Sequence, residues 1–288
     1  MTVQIELLLL VLSALFFLSV FAGKASSKYG VPALLLFLAV GMICGTDGVG
    51  IEFDNIYIAQ TIGTVALCII LFSGGMDTKF SEIKPIMLQG FLLSTIGVLL
   101  TALCAGVLIW FVLGCTMPGA GIGFLSSLLL AATMSSTDSA SVFSILRSKG
   151  VHLKQNLRPM LELESGSNDP MAYMLVITIL DVMKMGTEVS GWMIVFKLLM
   201  QLVVGGLAGY LFGKLAVFVI NKIKIGNDAL YPILVLTFCI FIFSATYYLQ
   251  GNGYLAVYIG GLVIGNSKFV HKRSSMKFFE GLAWLFQL

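Results

Sequence analysis

The chain has 288 residues, 58% of them hydrophobic and only 11% charged, with a formal net charge of +3 and a mean hydropathy of +1.01. Ordinary soluble domains carry about 25% charged residues, so this composition excludes them and describes an integral membrane protein. A β-barrel is excluded too: its strands would alternate over segments of about ten residues, whereas Leu7 to Phe21 and Ile86 to Leu113 are apolar on every side.

A hydrocarbon core of ~30 Å needs roughly 20 apolar residues per helix. In chain order the predicted spans are Val3–Ala22, Gly30–Gly45, Tyr57–Met76, Ile86–Leu113, Gly119–Leu146, Leu157–Val182, Trp192–Ile220, Leu230–Leu249 and Gly253–Asn266. A further apolar run starts at Phe278 and is still apolar at Leu288, too short there to cross a bilayer, so the chain reads as C-terminally truncated. Lys24 and Lys28, Lys79 and Lys84, Arg147 to Arg158, Lys214 to Lys224, and Lys268 to Lys277 fall in alternate loops. Cytoplasmic loops retain such residues, so those loops are predicted to be cytoplasmic and the N-terminus outside. The first span is no cleaved signal, because Glu6 and no basic residue precedes its apolar core.

The net positive charge arises from these loops; it calls for no nucleic-acid partner and implies attraction to anionic inner-leaflet lipid. The five cysteines show neither metal spacing nor a disulfide framework and read as small packing residues. Gly205-Gly206-Leu207-Ala208-Gly209 reads as a small-residue packing surface, and Lys197 and Lys214 are expected to snorkel.

Most acids fall in loops or at span ends. Asp138, Glu164 and Asp169 do not, and each acid held in hydrocarbon costs at least ~2.5 kcal/mol, so such groups usually line a pathway. They lie on consecutive spans that a hairpin can bring face to face. The first carries Ser135-Ser136-Thr137-Asp138-Ser139, whose side chains compete for backbone hydrogen bonds, so a break is expected there. The carbonyl of Thr137 would then be free to coordinate a cation, with Asp138 capping the half-helix that follows. On the second span, helical geometry puts Ser165 and Asp169 on one stripe and Glu164 and Asn168 on another. Pro170 cannot donate to the Gly166 carbonyl, which loosens the helix there. One carboxylate in a partly wet cavity binds a proton or a monovalent cation, not both. Sodium and potassium want oxygen ligands, and the Asp169 carboxylate, the Ser165 hydroxyl and the Thr137 carbonyl are all oxygen.

At Ser136-Thr137-Asp138 and Glu164-Ser165-Gly166-Ser167-Asn168-Asp169-Pro170 the sequence resembles the monovalent cation:proton antiporter-1 family, in its bacterial potassium/proton branch associated with cell-volume regulation. Leu71-Phe72-Ser73-Gly74-Gly75-Met76 and Gly260-Gly261-Leu262-Val263-Ile264-Gly265-Asn266 support it. The resemblance implies an all-α polytopic fold, sodium/proton-antiporter-like, made of inverted repeats with discontinuous helices. Residues 1–182 would form the first six-helix repeat, 183–229 a linking helix and 230–288 the incomplete start of the second. It implies exchange of potassium or sodium for a proton by alternating access. Asp169 would be the exchanging carboxylate, Ser165 and Thr137 its co-ligands for the monovalent cation, Asp138 a neighbour at the helix crossing, and Asn168 and Glu164 the supports. The Asn168-Asp169 pair marks electroneutral exchange in that family, which also implies a homodimer in a bacterial inner membrane, no resident cofactor and no enzymatic activity. Two departures stand out: Ser73 occupies a position often held by an acid, and the arginine that usually pairs with the acid at Glu164 has no intramembrane counterpart here.

A sodium-coupled organic-anion symporter would also use broken helices, but it would want a basic residue in the cavity, and none is evident. An intramembrane aspartyl protease could use Asp138 and Asp169 as a dyad. No accompanying hydrolytic motif is present, and His152 and His271 lie in loops.

Overall fold

The computed structural model describes residues 5–29, 31–46, 48–51, 53–117, 121–138, 153–154, 157–185 and 190–288, and the described residues are helices and connecting turns. In order these are α1 (Ile5–Tyr29), α2 (Ala33–Cys44), α3 (Ile56–Asp77), α4 (Phe80–Ile83), a 3₁₀ turn (Lys84–Ile86), α5 (Met87–Leu92), a π turn (Leu93–Gly97) and α6 (Val98–Thr116). Then follow α7 (Phe124–Thr133), α8 (Leu157–Met185), α9 (Gly191–Lys222), α10 (Leu230–Tyr248), α11 (Gly253–Gly265) and α12 (Lys272–Gln287).

Among the described residues five helical stretches are long and apolar enough to cross a membrane: Leu9–Ser26, Ile56–Asp77, Phe80–Thr116, Gly191–Lys222 and Leu230–Tyr248. Helix α8 has the length, but Glu162, Glu164 and Asp169 interrupt its apolar run. Large apolar side chains such as Phe17, Phe21, Leu108 and Phe218 point outward, as lipid-facing residues do. The predicted span Ile86–Leu113 starts earlier than expected, at Phe80. Pro85 has no N–H to donate, so the chain tightens into the 3₁₀ turn there. Ten residues on, the hydroxyl of Thr95 donates to the Phe91 carbonyl at 2.6 Å within the π turn.

The chain divides into two compact units, one of Met1–Ala66, Asp138–Lys154 and Leu282–Leu288, the other of Leu67–Thr137 and Gln155–Gly281. In the first, α1 and α2 form a hairpin in which the Ser26 hydroxyl donates to the Val31 carbonyl at 2.7 Å. In the second, α6, α7 and α8 enclose Ala102, Ala132 and Ile179. Val98, Met171, Ala172 and Met174 form a neighbouring cluster against Leu198 and Leu202 of α9.

Within this second unit α9 and α11 run parallel in a fixed register. A Cβ on Gly205 would lie 2.8 Å from the Asn252 carbonyl oxygen, and one on Gly209 2.8 Å from the Ala256 Cα. The pairing ends where the Asn221 amide donates to the Lys268 carbonyl at 3.0 Å. The small-residue surface read from the sequence is therefore a helix contact, close because Gly205 and Gly209 have no side chain in the way. Lys197, expected to snorkel, pairs its ammonium with Asp181 near the end of α8.

Candidate functional site

Helix α7 stops at Thr133, and Met134 to Asp138 are not helical, so the break expected in the serine-rich run is present on its N-terminal side. The second half of that predicted span, 139–146, lies outside the described residues. The broken end ties itself off locally. Met134 N–H donates to the Ala131 carbonyl at 3.2 Å, and the Ser135 hydroxyl to that of Ala132 at 2.7 Å. These short-range bonds satisfy carbonyls that a continuing helix would have used, which is how hydroxyl side chains make an interruption affordable inside a membrane.

The next two residues face α8. The Ser136 hydroxyl donates to Asp169 Oδ1, with Asn168 Oδ1 a second acceptor at 3.3 Å. The carbonyl of Thr137 accepts from the Ser165 hydroxyl at 3.1 Å and from Asn168 Nδ2 at 3.3 Å. The Thr137 hydroxyl accepts from Asn168 Nδ2 at 2.6 Å and donates to the Glu164 carboxylate at 3.1 Å. Asn168 Nδ2 also reaches Glu164 Oε1 at 3.1 Å. Asn168 is fully buried at 0% exposure, while Asp169, Ser165 and Glu164 are partly accessible and Thr137 and Asp138 are exposed.

The two stripes separated on a helical wheel thus meet at one residue. Thr137 takes Ser165 from the first stripe and Asn168 and Glu164 from the second, because the broken strand of backbone crosses α8 rather than running beside it. A carbonyl oxygen has two lone pairs, and both of Thr137's are engaged. Ser165 donates its single hydroxyl proton to that carbonyl. The sequence reading brought together Asp169, Ser165, Thr137, Asp138, Asn168 and Glu164, and of these Asp169, Ser165, Thr137, Asn168 and Glu164 share this cluster. Asp138, the following residue, belongs to the other compact unit.

Sequence reasoning missed the donor that contacts Asp169. Ser136 stands in the quoted Ser136-Thr137-Asp138 run, but nothing in a linear sequence says which hydroxyl of an irregular segment faces the next helix. A cavity of about 770 Å³ lies nearby, between α5, α8, α9 and α11; Ser167, Tyr258 and Lys214 line it among mainly apolar residues. Among the described residues no group of three or more His, Cys, Asp or Glu side chains gathers as a metal site would require.

An interrupted helix crossing a carboxylate-bearing helix, in a helical membrane bundle, defines a multi-pass transporter-like fold with an oxygen-lined polar centre. A sequence profile described as "Sodium/hydrogen exchanger, transmembrane" matches residues 11–287, and the chain belongs to that family. It is 39% identical over 285 residues to the K(+)/H(+) antiporter NhaP of Alkalimonas amylolytica, covering 99% of this chain and 48% of that protein. With the K(+)/H(+) antiporter NhaP2 of Shewanella oneidensis it shares 35% identity over 272 residues, 94% of this chain and 46% of the relative. The chain spans about half the length of these curated relatives. The structure of the sodium proton antiporter MjNhaP1 from Methanocaldococcus jannaschii superposes with a TM-score of 0.77 at 21% identity, covering 97% of this chain and 69% of that one, and shows that the antiporter fold is shared.

Proposed function

We propose that the protein exchanges a monovalent cation, potassium or sodium, for a proton, with the two competing at Asp169. The observation that carries this reading is the hydroxyl of Ser136 on the Asp169 carboxylate, at a helix interruption whose next carbonyl is met by Ser165. The names of the relatives support it: two are K(+)/H(+) antiporters, and the structural neighbour is a sodium proton antiporter.

The chemistry follows from what each group offers. An ionised Asp169 accepts from Ser136 and is the charged oxygen ligand a cation would take. Ser165 adds its hydroxyl oxygen, and the Thr137 carbonyl joins when its hydrogen-bond donors turn aside. A protonated Asp169 needs no counter-charge, and its O–H finds acceptors in the same hydroxyls. Ser136 then has an alternative acceptor in Asn168 Oδ1, so the network has a partner for its proton in either state. One cation replacing one proton leaves the charge of the site unchanged, which makes the exchange electroneutral. Asn168 and Glu164 hold Thr137 in place, and Asp138 contributes to the field near the crossing. In this reading the chain is a transporter and not an enzyme. It acts as a homodimer in a bacterial inner membrane with its N-terminus outside, with repeats bounded near residues 182 and 229. The alternation of basic loops and the bacterial relatives support that placement.

The test is Asp169→Asn in the full chain reconstituted in liposomes with a pH-sensitive dye inside. A potassium or sodium jump should drive proton movement in the wild type and none above background in the variant, with insertion unchanged. Near-normal exchange by a well-inserted variant removes Asp169 from the coupling role. Uptake of a labelled organic anion that depends on sodium would instead favour the symporter.

A further inference from the structure

Asn252 lies in the tight turn between α10 and α11, far in sequence from the polar cluster, yet it is 5% exposed and every polar group it has is engaged. Its backbone N–H donates to the Gln201 carbonyl of α9 at 3.0 Å, and its carbonyl accepts from Ala256 N–H at 3.1 Å. Its side-chain oxygen caps α11 by accepting from Leu255 N–H at 3.1 Å. That leaves the side-chain amide, which donates to the Pro170 carbonyl of α8 at 2.8 Å. Pro170 immediately follows Asp169 and is itself fully buried.

The same face of the α10–α11 hairpin touches α8 at two further points. Tyr254 meets Tyr173 edge to face with ring centroids 4.6 Å apart. Tyr258 lies so close to Gly166 that a Cβ there would come within 2.6 Å of the ring. Gly166 and Pro170 are one turn apart and form the stripe adjacent to Ser165 and Asp169, so the hairpin grips the ion-site helix one residue away from each of its two candidate ligands. This is also where α8 is weakest, because Pro170 cannot donate to Gly166 and one rung of the helix is missing. A buried hydrogen bond at the weak point, made from a side chain anchored at three other atoms, sets the height and rotation of α8 more firmly than apolar packing alone. Apolar contacts between helices tolerate sliding; a directed N–H to carbonyl bond does so far less.

We propose that Asn252 is a positioning residue for the site: its amide, held by α9 and α11, fixes the Pro170 carbonyl and thereby the register of the Asp169 carboxylate against Ser136 and Thr137. This rests on the reading of Asp169 as the exchanging carboxylate. The bond ties the ion-site helix to the α9–α11 pair, so sliding of α8 along that pair must break this polar contact at the proline.

The informative variant is Asn252→Ser. Serine caps a helix about as well as asparagine, so α11 keeps its N-cap, but its side chain is too short to reach Pro170. In the liposome assay the apparent KM for the cation should rise about fivefold to tenfold, the range a lost buried hydrogen bond supports. The maximal rate should stay within about twofold. Since protons compete better against a more weakly bound cation, the acid-side edge of activity at fixed cation concentration should move to higher pH. A residue that only holds the fold together would lower the maximal rate and leave KM and the pH profile in place, and that result overturns the proposal. Asn252→Gln, which keeps the amide, should recover part of the affinity. Amide hydrogen exchange of segment 164–174 in detergent gives a readout independent of transport. Protection there should fall in Asn252→Ser while that of 205–215 persists, and unchanged protection overturns the proposal whether or not the wild type exchanges ions. Absence of exchange by the wild type, with protection lost as expected in the variant, counts against the antiport reading alone.

Discussion

The crossing of the α7 end over α8 and the parallel pair α9–α11 are both helix contacts within one compact unit, and they are built in opposite ways. In α9–α11 the backbones approach over Gly205 and Gly209 with no polar side chain between them at Gly209, so contact comes from dispersion and shape. At α7–α8 the contact is made by two carboxylates, an amide and three hydroxyls. Interhelical hydrogen bonds in membranes average only ~0.6 kcal/mol each, well short of the cost of placing acids there. Stability therefore explains the glycine pair and fails to explain the polar crossing. On the proposed function the difference separates a packing surface from a chemical one, and substitutions at the two should dissociate stability from exchange.

The largest structural effect is expected at Gly209. Adding a methyl in Gly209→Ala puts it against the Ala256 backbone, which has no flexible end to move aside, and should cost about 1–3 kcal/mol, the range for overpacking. Thermal unfolding in detergent would show a lowered midpoint, while the surviving folded fraction should keep its cation KM. An unchanged midpoint would mean that the two helices are not in close contact.

Ser136→Ala reverses the pattern. Removing one hydroxyl from the polar crossing should leave the unfolding midpoint within the ±0.5 kcal/mol usual for tolerated substitutions. Cation-dependent proton movement should fall by roughly tenfold, since a hydrogen bond to a charged group is worth about 1.5–3 kcal/mol. A variant with normal exchange would show that Ser136 is a bystander and that the carboxylate is served by other groups.

The smallest effect is expected one residue away from the tight contact. A Cβ on Gly206 would meet only Ile259 Cδ1 at 3.8 Å, ordinary van der Waals distance, so Gly206→Ala should be neutral in both assays. Equal damage at Gly206 and Gly209 would make the effect one of helix flexibility rather than of close approach.

Much of this protein was legible before any coordinates. Membrane class, helical architecture and the order of spans follow from hydropathy, because the bilayer demands apolar length and internal backbone pairing from any chain that crosses it. The break near Ser135 and the polar cluster that holds Asp169 were legible for the converse reason: groups that fit badly in hydrocarbon stand out against it. Pro85 and the π turn blurred the predicted start of the fourth span, since local backbone irregularity leaves little trace in hydropathy. Helical wheels sort residues on one helix only, so they could separate Ser165 from Asn168 but not show that both reach Thr137. Ser136 as the donor to Asp169, Asp181 as the partner of Lys197 and Asn252 as the partner of Pro170 were decided by the tertiary structure. Each joins segments whose approach depends on how helices pack and cross. Spacing along the chain determines what a helix can offer, and only packing determines which neighbour receives it.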